Sequence, residues 1–176
     1  MSRMLRTMIL AAALAPALPA QSNDWRQEFL AVMQTAADKY IQLAEAIPAD
    51  KYTWRPAEGV RSVAETFLHV ATANYGLASN LGAQLPAGVP VRTLEKSTTD
   101  KAVIVKHLRD AFAHFRGAVE AFPADQPTKM VRFFGPPEIT ARHFLYFNAD
   151  HNGEHLGQLI AYARSVGVTP PWSAGN

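Results

Sequence analysis

The chain has 176 residues, with 17 Lys and Arg against 15 Asp and Glu, 48% hydrophobic residues and no cysteine. Two of the basic residues, Arg3 and Arg6, lie in the first ten, so the chain beyond Ala20 carries 15 of each sign and is formally neutral with histidine uncharged. Nucleic acid is thereby a poor partner, because no Lys/Arg run with interleaved aromatics remains; disulfides and thiolate zinc sites are excluded outright, leaving His, Asp and Glu to hold any transition metal.

The first 20 residues read as a cleavable signal peptide. Arg3 and Arg6 form a positive head, Met8 to Ala15 an apolar run, and Pro16 to Ala20 a stretch of small residues before the polar Gln21 to Asp24. The run is far short of the roughly 20 residues that span a bilayer. The expectation is an exported protein, periplasmic or secreted, cleaved after Ala20 in preference to Ala17 and free of the membrane afterwards. Residues 21–176 are enough for one domain with a sizeable core.

Four helices are predicted after the leader. The first runs from about Asp24 to Ile47, with Trp25, Phe29, Val32, Ala36, Tyr40, Leu43 and Ile47 stepping by threes and fours. The connection from Pro48 to Val60 holds Tyr52 and Trp54, aromatics suited to packing over a bundle end. Ser62-Val63-Ala64-Glu65 has the form of a capping box, so the second helix starts near Val63. It continues to about Leu81 and turns Phe67, Val70, Leu77 and Leu81 to the core. After a longer Gly- and Pro-rich loop, the cluster Ser97 to Asp100 opens the third helix. Its seam of Val105, Leu108, Phe112, Phe115, Val119 and Phe122 is of the bundle type. Met130 to Phe133 is the longest alternating stretch, and Phe133 to Pro137 reads as an irregular crossing. The fourth helix runs from about Thr140 to Gly167, a good residue to end on. The fold class is all-α, a single four-helix bundle.

The fourth helix carries His151-Asn152-Gly153-Glu154-His155. Residues four apart lie one turn above each other, close enough for two imidazoles to reach one ion. Two nitrogens do not complete a site, and His69, midway along the second helix, is the natural third donor. Three protein ligands leave a coordination position for water or substrate, the arrangement of a catalytic rather than a closed structural site. The plainer alternative is a pair of half-exposed histidines on a polar face. Against it, Asn148, His151, His155, Leu159 and Tyr162 form one column at helical spacing, and Leu159 and Tyr162 favour burial.

The remaining candidates are weaker. His107 and His114 flank the third-helix seam and read as surface residues; His143 is left out of the site. Glu65, one turn before His69, either completes its capping box, the preferred reading, or orients or joins the ligands. Asp150 and Glu154 are solvated residues or partners that fix a histidine tautomer. Gly153 and Gly157 cost about 1 kcal/mol each in a helix and would admit a close neighbour. Arg164 is either an anion receptor at the open end or a last-turn cation. His-x-x-Glu-His also matches the inverted zinc-protease motif, but no Asp or Glu follows Glu154 to supply the further ligand.

His69, the segment from His151 to Leu159 with its His-x-x-x-His-x-Gly-Gln-Leu pattern, Tyr162-x-Arg164-x-x-Gly167 and Pro170-Pro171 together resemble the DinB/YfiT-like superfamily. Trp54 to Ser62 resembles that family's loop before the second helix, and the likeness spans nearly the whole mature chain. The resemblance implies a bundle of up-down-down-up connectivity and a three-histidine site for a divalent transition metal, zinc first and nickel next. Its ligands here would be His69, His151 and His155. It also implies activities that include thiol-dependent transfer, in which the metal activates a thiol.

Two functional readings follow. One is a metal-dependent hydrolase or thiol transferase acting on a small-molecule substrate. The other is a non-catalytic protein whose ion staples the second helix to the fourth. A homodimer is the default assembly.

Overall fold

The computed structural model describes residues 24–133 and 135–173; the expected leader lies outside them. Four helices dominate: α1 Trp25–Ala46, α2 Val63–Ala78, α3 Lys101–Ala121 and α4 Ala141–Ser165. Each starts where a side chain accepts a hydrogen bond from an otherwise unpaired backbone N–H. Asp24 caps α1, Asp100 caps α3 and Thr140 caps α4. At α2 both halves of the expected capping box are present: Glu65 N donates to Ser62 Oγ at 3.2 Å and Ser62 N to Glu65 Oε2 at 2.7 Å. Gly167, with φ +83°, follows α4 in the left-handed conformation that residues with a Cβ rarely adopt.

Side-chain contacts fix the directions. Phe29 early in α1 meets Phe115 late in α3, and Lys101 at the start of α3 donates to the carbonyls of Glu45 and Ile47 at the end of α1, so these two are antiparallel. Asn74 of α2 bonds Asn148 of α4, whereas Trp54 before α2 packs on Tyr162 late in α4, so that pair is antiparallel too. Trp25 and Phe29 share a cleft with Arg142 and Leu145, and Tyr40 Oη donates to the Asn152 carbonyl, which makes α1 and α4 parallel. α2 and α3 therefore run the same way, giving an up-down-down-up order with α1 diagonal to α2.

The core follows the predicted seams with local shifts. Met33 and Ala37 are buried on α1, whereas Val32, expected inside, is 59% exposed. On α3 Ile104 is buried and Val105 only partly. α2 ends at Ala78, and the 3₁₀ turn Ser79–Leu81 leaves Leu81 half-buried. The loop aromatics close the bundle end as expected: Tyr52 is buried, stacks on Phe67 and donates to the Ala44 carbonyl at 2.6 Å.

One element departs from the all-α reading. Where an irregular crossing was expected, β1 Met130–Phe133 pairs antiparallel with β2 Gly135–Thr140, with a register shift between Val131 and Phe133. Proline in a strand removes a ladder donor, which hid β2 from a reading by propensity; a two-stranded hairpin has only edge strands and tolerates it. Among the described residues no helix is long and apolar enough to cross a membrane.

Candidate metal centre

α2 and α4 meet through two polar layers. The deeper one is a closed ring of three buried amides. Asn74 Nδ2 donates to Asn152 Oδ1 at 3.3 Å, Asn152 Nδ2 to Asn148 Oδ1 at 3.1 Å, and Asn148 Nδ2 to Asn74 Oδ1 at 3.2 Å. All three are at most 1% exposed, and each amide is donor to one neighbour and acceptor from the other. The ring fixes the register of α2 against α4.

One step outward lie the three histidines. His69 Nε2 stands 3.2 Å from His151 Nε2, and one ring nitrogen from each of His69, His151 and His155 falls within 4.8 Å of the others. His155 is buried; His69 and His151 are half-buried. Among the described residues this is the one group of His, Cys, Asp or Glu so gathered.

The outer nitrogens show which atoms face inward. His69 Nδ1 is 2.9 Å from Glu95 Oε2, and Arg61 Nε donates to the other Glu95 oxygen at 2.7 Å. His155 Nδ1 is 2.8 Å from Gln158 Oε1, while Gln158 Nε2 donates to Tyr162 Oη. A carboxylate and an amide oxygen accept only, so both imidazoles carry a proton on Nδ1, and His69 turns its Nε2 to the centre. His151 Nδ1 is buried without a hydrogen-bond partner. Its ring stacks on Phe147, which in turn meets Phe133 of the hairpin.

The electrostatics favour neutral ligands. Burial pushes His151 down to about 4, reinforced by His155, His69 and Arg61. Burial also lowers His69, outweighing the opposite influence of Glu95. Glu95 is pushed up by burial but held below the usual carboxylate range by its bonds to Arg61 and His69. The 2.9 Å contact is therefore a charge-assisted hydrogen bond from a neutral imidazole. The donor set fits a transition ion. Two nitrogens on one tetrahedral zinc at the usual bond length stand about 3.3 Å apart, close to the spacing of His69 and His151.

The other sequence candidates divide. Glu65 stays with its cap and with Arg55, 3.2 Å away, and Asp150, Glu154, His143 and Arg164 are exposed. Gly153 and Gly157 face open space, so no close-packed neighbour accounts for them. His107 and His114, expected at the surface, are half-buried against the Tyr75 ring. Glu95 was not singled out by sequence, and Arg61, Gln158 and Asn148 appeared there only within a loop, a motif and a helix column, with no role at the site. Gln158, three residues after His155, had a signal in helical spacing; Glu95, 26 residues from His69 on a loop, had none.

The sequence matches the family model described as the DinB superfamily over residues 32–159. This chain belongs to the DinB superfamily. The Bacillus subtilis protein YjoA is 27% identical over 149 residues, covering 85% of this DinB-superfamily chain and 93% of its own. The solved structure of YjoA aligns with a TM-score of 0.63 at 23% identity, over 81% of this chain and 93% of that one. YfiT from Bacillus subtilis, described as a probable metal-dependent hydrolase with an unusual four-helix bundle topology, aligns with a TM-score of 0.64 at 15% identity, over 88% and 95%. A mycothiol-dependent maleylpyruvate isomerase aligns with a TM-score of 0.61 at 15% identity, over 76% of this chain and 60% of its own. At these identities the structural likenesses establish the fold.

Proposed function

We propose that this DinB-superfamily chain is an exported protein that binds one divalent transition metal through the Nε2 atoms of His69, His151 and His155 and uses it in a metal-dependent reaction on a small molecule. The observation that carries this is the occupied Nδ1 atoms: Glu95 and Gln158 turn two imidazoles inward from opposite helices onto a point beside His151. Three neutral imidazoles suit zinc, with nickel next. When bound, such an ion polarises an oxygen or sulfur ligand and lowers its pKa. The chain's own contribution is orientation: Arg61 holds Glu95, Glu95 holds His69, and Tyr162 and Gln158 hold His155. Phe147 and Phe133 form an apolar wall beside His151.

Hydrolysis comes first, with thiol transfer second, because export would separate the site from cytosolic thiol pools. Both YfiT, described as a probable hydrolase, and the mycothiol-dependent isomerase share the fold. A non-catalytic staple is the second reading, favoured by the origin of the ligands on two antiparallel helices far apart in sequence. The side chain of His69 is 22% exposed, and that openness favours catalysis. The test is turnover of an ester, amide and thiol-acceptor panel by zinc- and nickel-loaded protein, alongside melting temperature with and without metal. We expect turnover that a chelator abolishes and metal restores. A large rise in melting temperature with no turnover anywhere in the panel would favour the staple.

A further inference from the structure

An open cleft of about 560 Å³ is lined by Arg55, Arg61, Lys96, Glu65, Glu95 and Gln158. Its floor includes Glu95 and Gln158, the residues that hold His69 and His155. The cleft therefore adjoins the support of two of the three candidate ligands. Its charges do not cancel. Glu65 is engaged by its cap and Arg55, and Glu95 by Arg61 and His69. Among the described residues no carboxylate pairs with Lys96, and Arg61 meets Glu95 through Nε alone. The lining thus carries three cations against two carboxylates, a net positive charge beside the residues that hold His69 and His155.

We propose that Arg61 and Lys96 form an anion subsite for a carboxylate of the small-molecule substrate, placed so that another group of the same molecule reaches the metal. The inference rests on the metal reading above and adds the substrate's chemical class. A monoanion fits better than a dianion, because Glu65 and Glu95 in the same wall repel a second negative charge. The planar guanidinium of Arg61 matches a carboxylate, and its terminal nitrogens remain to meet one.

The test uses cobalt(II)-loaded protein and two series of probes: mercaptoacetate, mercaptopropionate and mercaptobutyrate, and their neutral amides. The chain has no cysteine, so a cobalt–thiolate absorption band reports the probe alone. For at least one spacer length the acid should bind roughly tenfold more tightly than its amide, the scale of one charge-assisted contact. In Lys96→Gln that preference should fall at least about threefold with the cobalt spectrum retained, and in Arg61→Gln/Lys96→Gln, compared at saturating cobalt because Arg61 also holds Glu95, it should vanish. Lys96→Arg should keep it. Equal affinity of acid and amide at every length, or a preference unchanged in Lys96→Gln, would overturn the subsite and leave the metal centre standing. Failure of the wild-type protein to bind cobalt would remove the metal reading, and the subsite with it.

Discussion

Glu95 illustrates how one loop carboxylate can set the properties of a helix-borne histidine. Its bond to His69 Nδ1 fixes the tautomer that leaves Nε2 bare, and Arg61 fixes the carboxylate in turn. Glu95→Ala should weaken metal binding about 10- to 100-fold in chelator competition, while Glu95→Gln, which keeps an acceptor oxygen, should retain most of it. His151 adds a pH dependence. Its pKa is lowered from 6.5 to about 4, so between those values the unfolded chain takes up a proton that the folded one refuses. The metal-free protein should be most stable, as far as His151 decides it, above pH 6.5, and should lose that stability as pH falls towards 4; urea midpoints across the window measure it. His151→Asn should flatten the slope. At this scale the three histidines were legible because helical spacing brings His151 and His155 onto one turn and the motif adds His69. Glu95 was not, because its meeting with His69 depends on how a loop folds back over α2.

Between elements, the amide ring of Asn74, Asn148 and Asn152 gives the α2–α4 seam a specific register that apolar packing alone leaves loose. Asn148→Leu strands the Asn74 oxygen and one Asn152 bond in a dry interior, and should cost about 2–3 kcal/mol in urea unfolding of the metal-free protein. Asn74→Leu combined with Asn148→Leu should cost less than the sum of the single changes, since both remove members of one network. The helices themselves were readable from caps and periodicity, the Ser62–Glu65 box being the clearest case. Periodicity placed the α1 seam one residue off at Val32, because a stripe of threes and fours admits Val32 or Met33 and only the packing of α1 in the bundle decides between them. The hairpin was hidden by Pro136 and Pro137, residues that argue against a strand wherever ladder donors are required.

For the whole molecule, the up-down-down-up order matters because it sets α2 antiparallel to α4 and brings ring nitrogens of residues 82 positions apart to within 3.2 Å. An ion held there would link segments separated by α3 and the hairpin. Metal present at a thousand times its dissociation constant should add about 4 kcal/mol to stability. For a domain of this size that raises the melting temperature by roughly 8–16 °C, an increase that a chelator should reverse. The most direct measurement is elemental analysis of the chain purified without a polyhistidine tag, with His151→Ala prepared in parallel. Convergent imidazoles require about one transition-metal ion per wild-type chain and little in the variant; the same metal content in both proteins would contradict the centre.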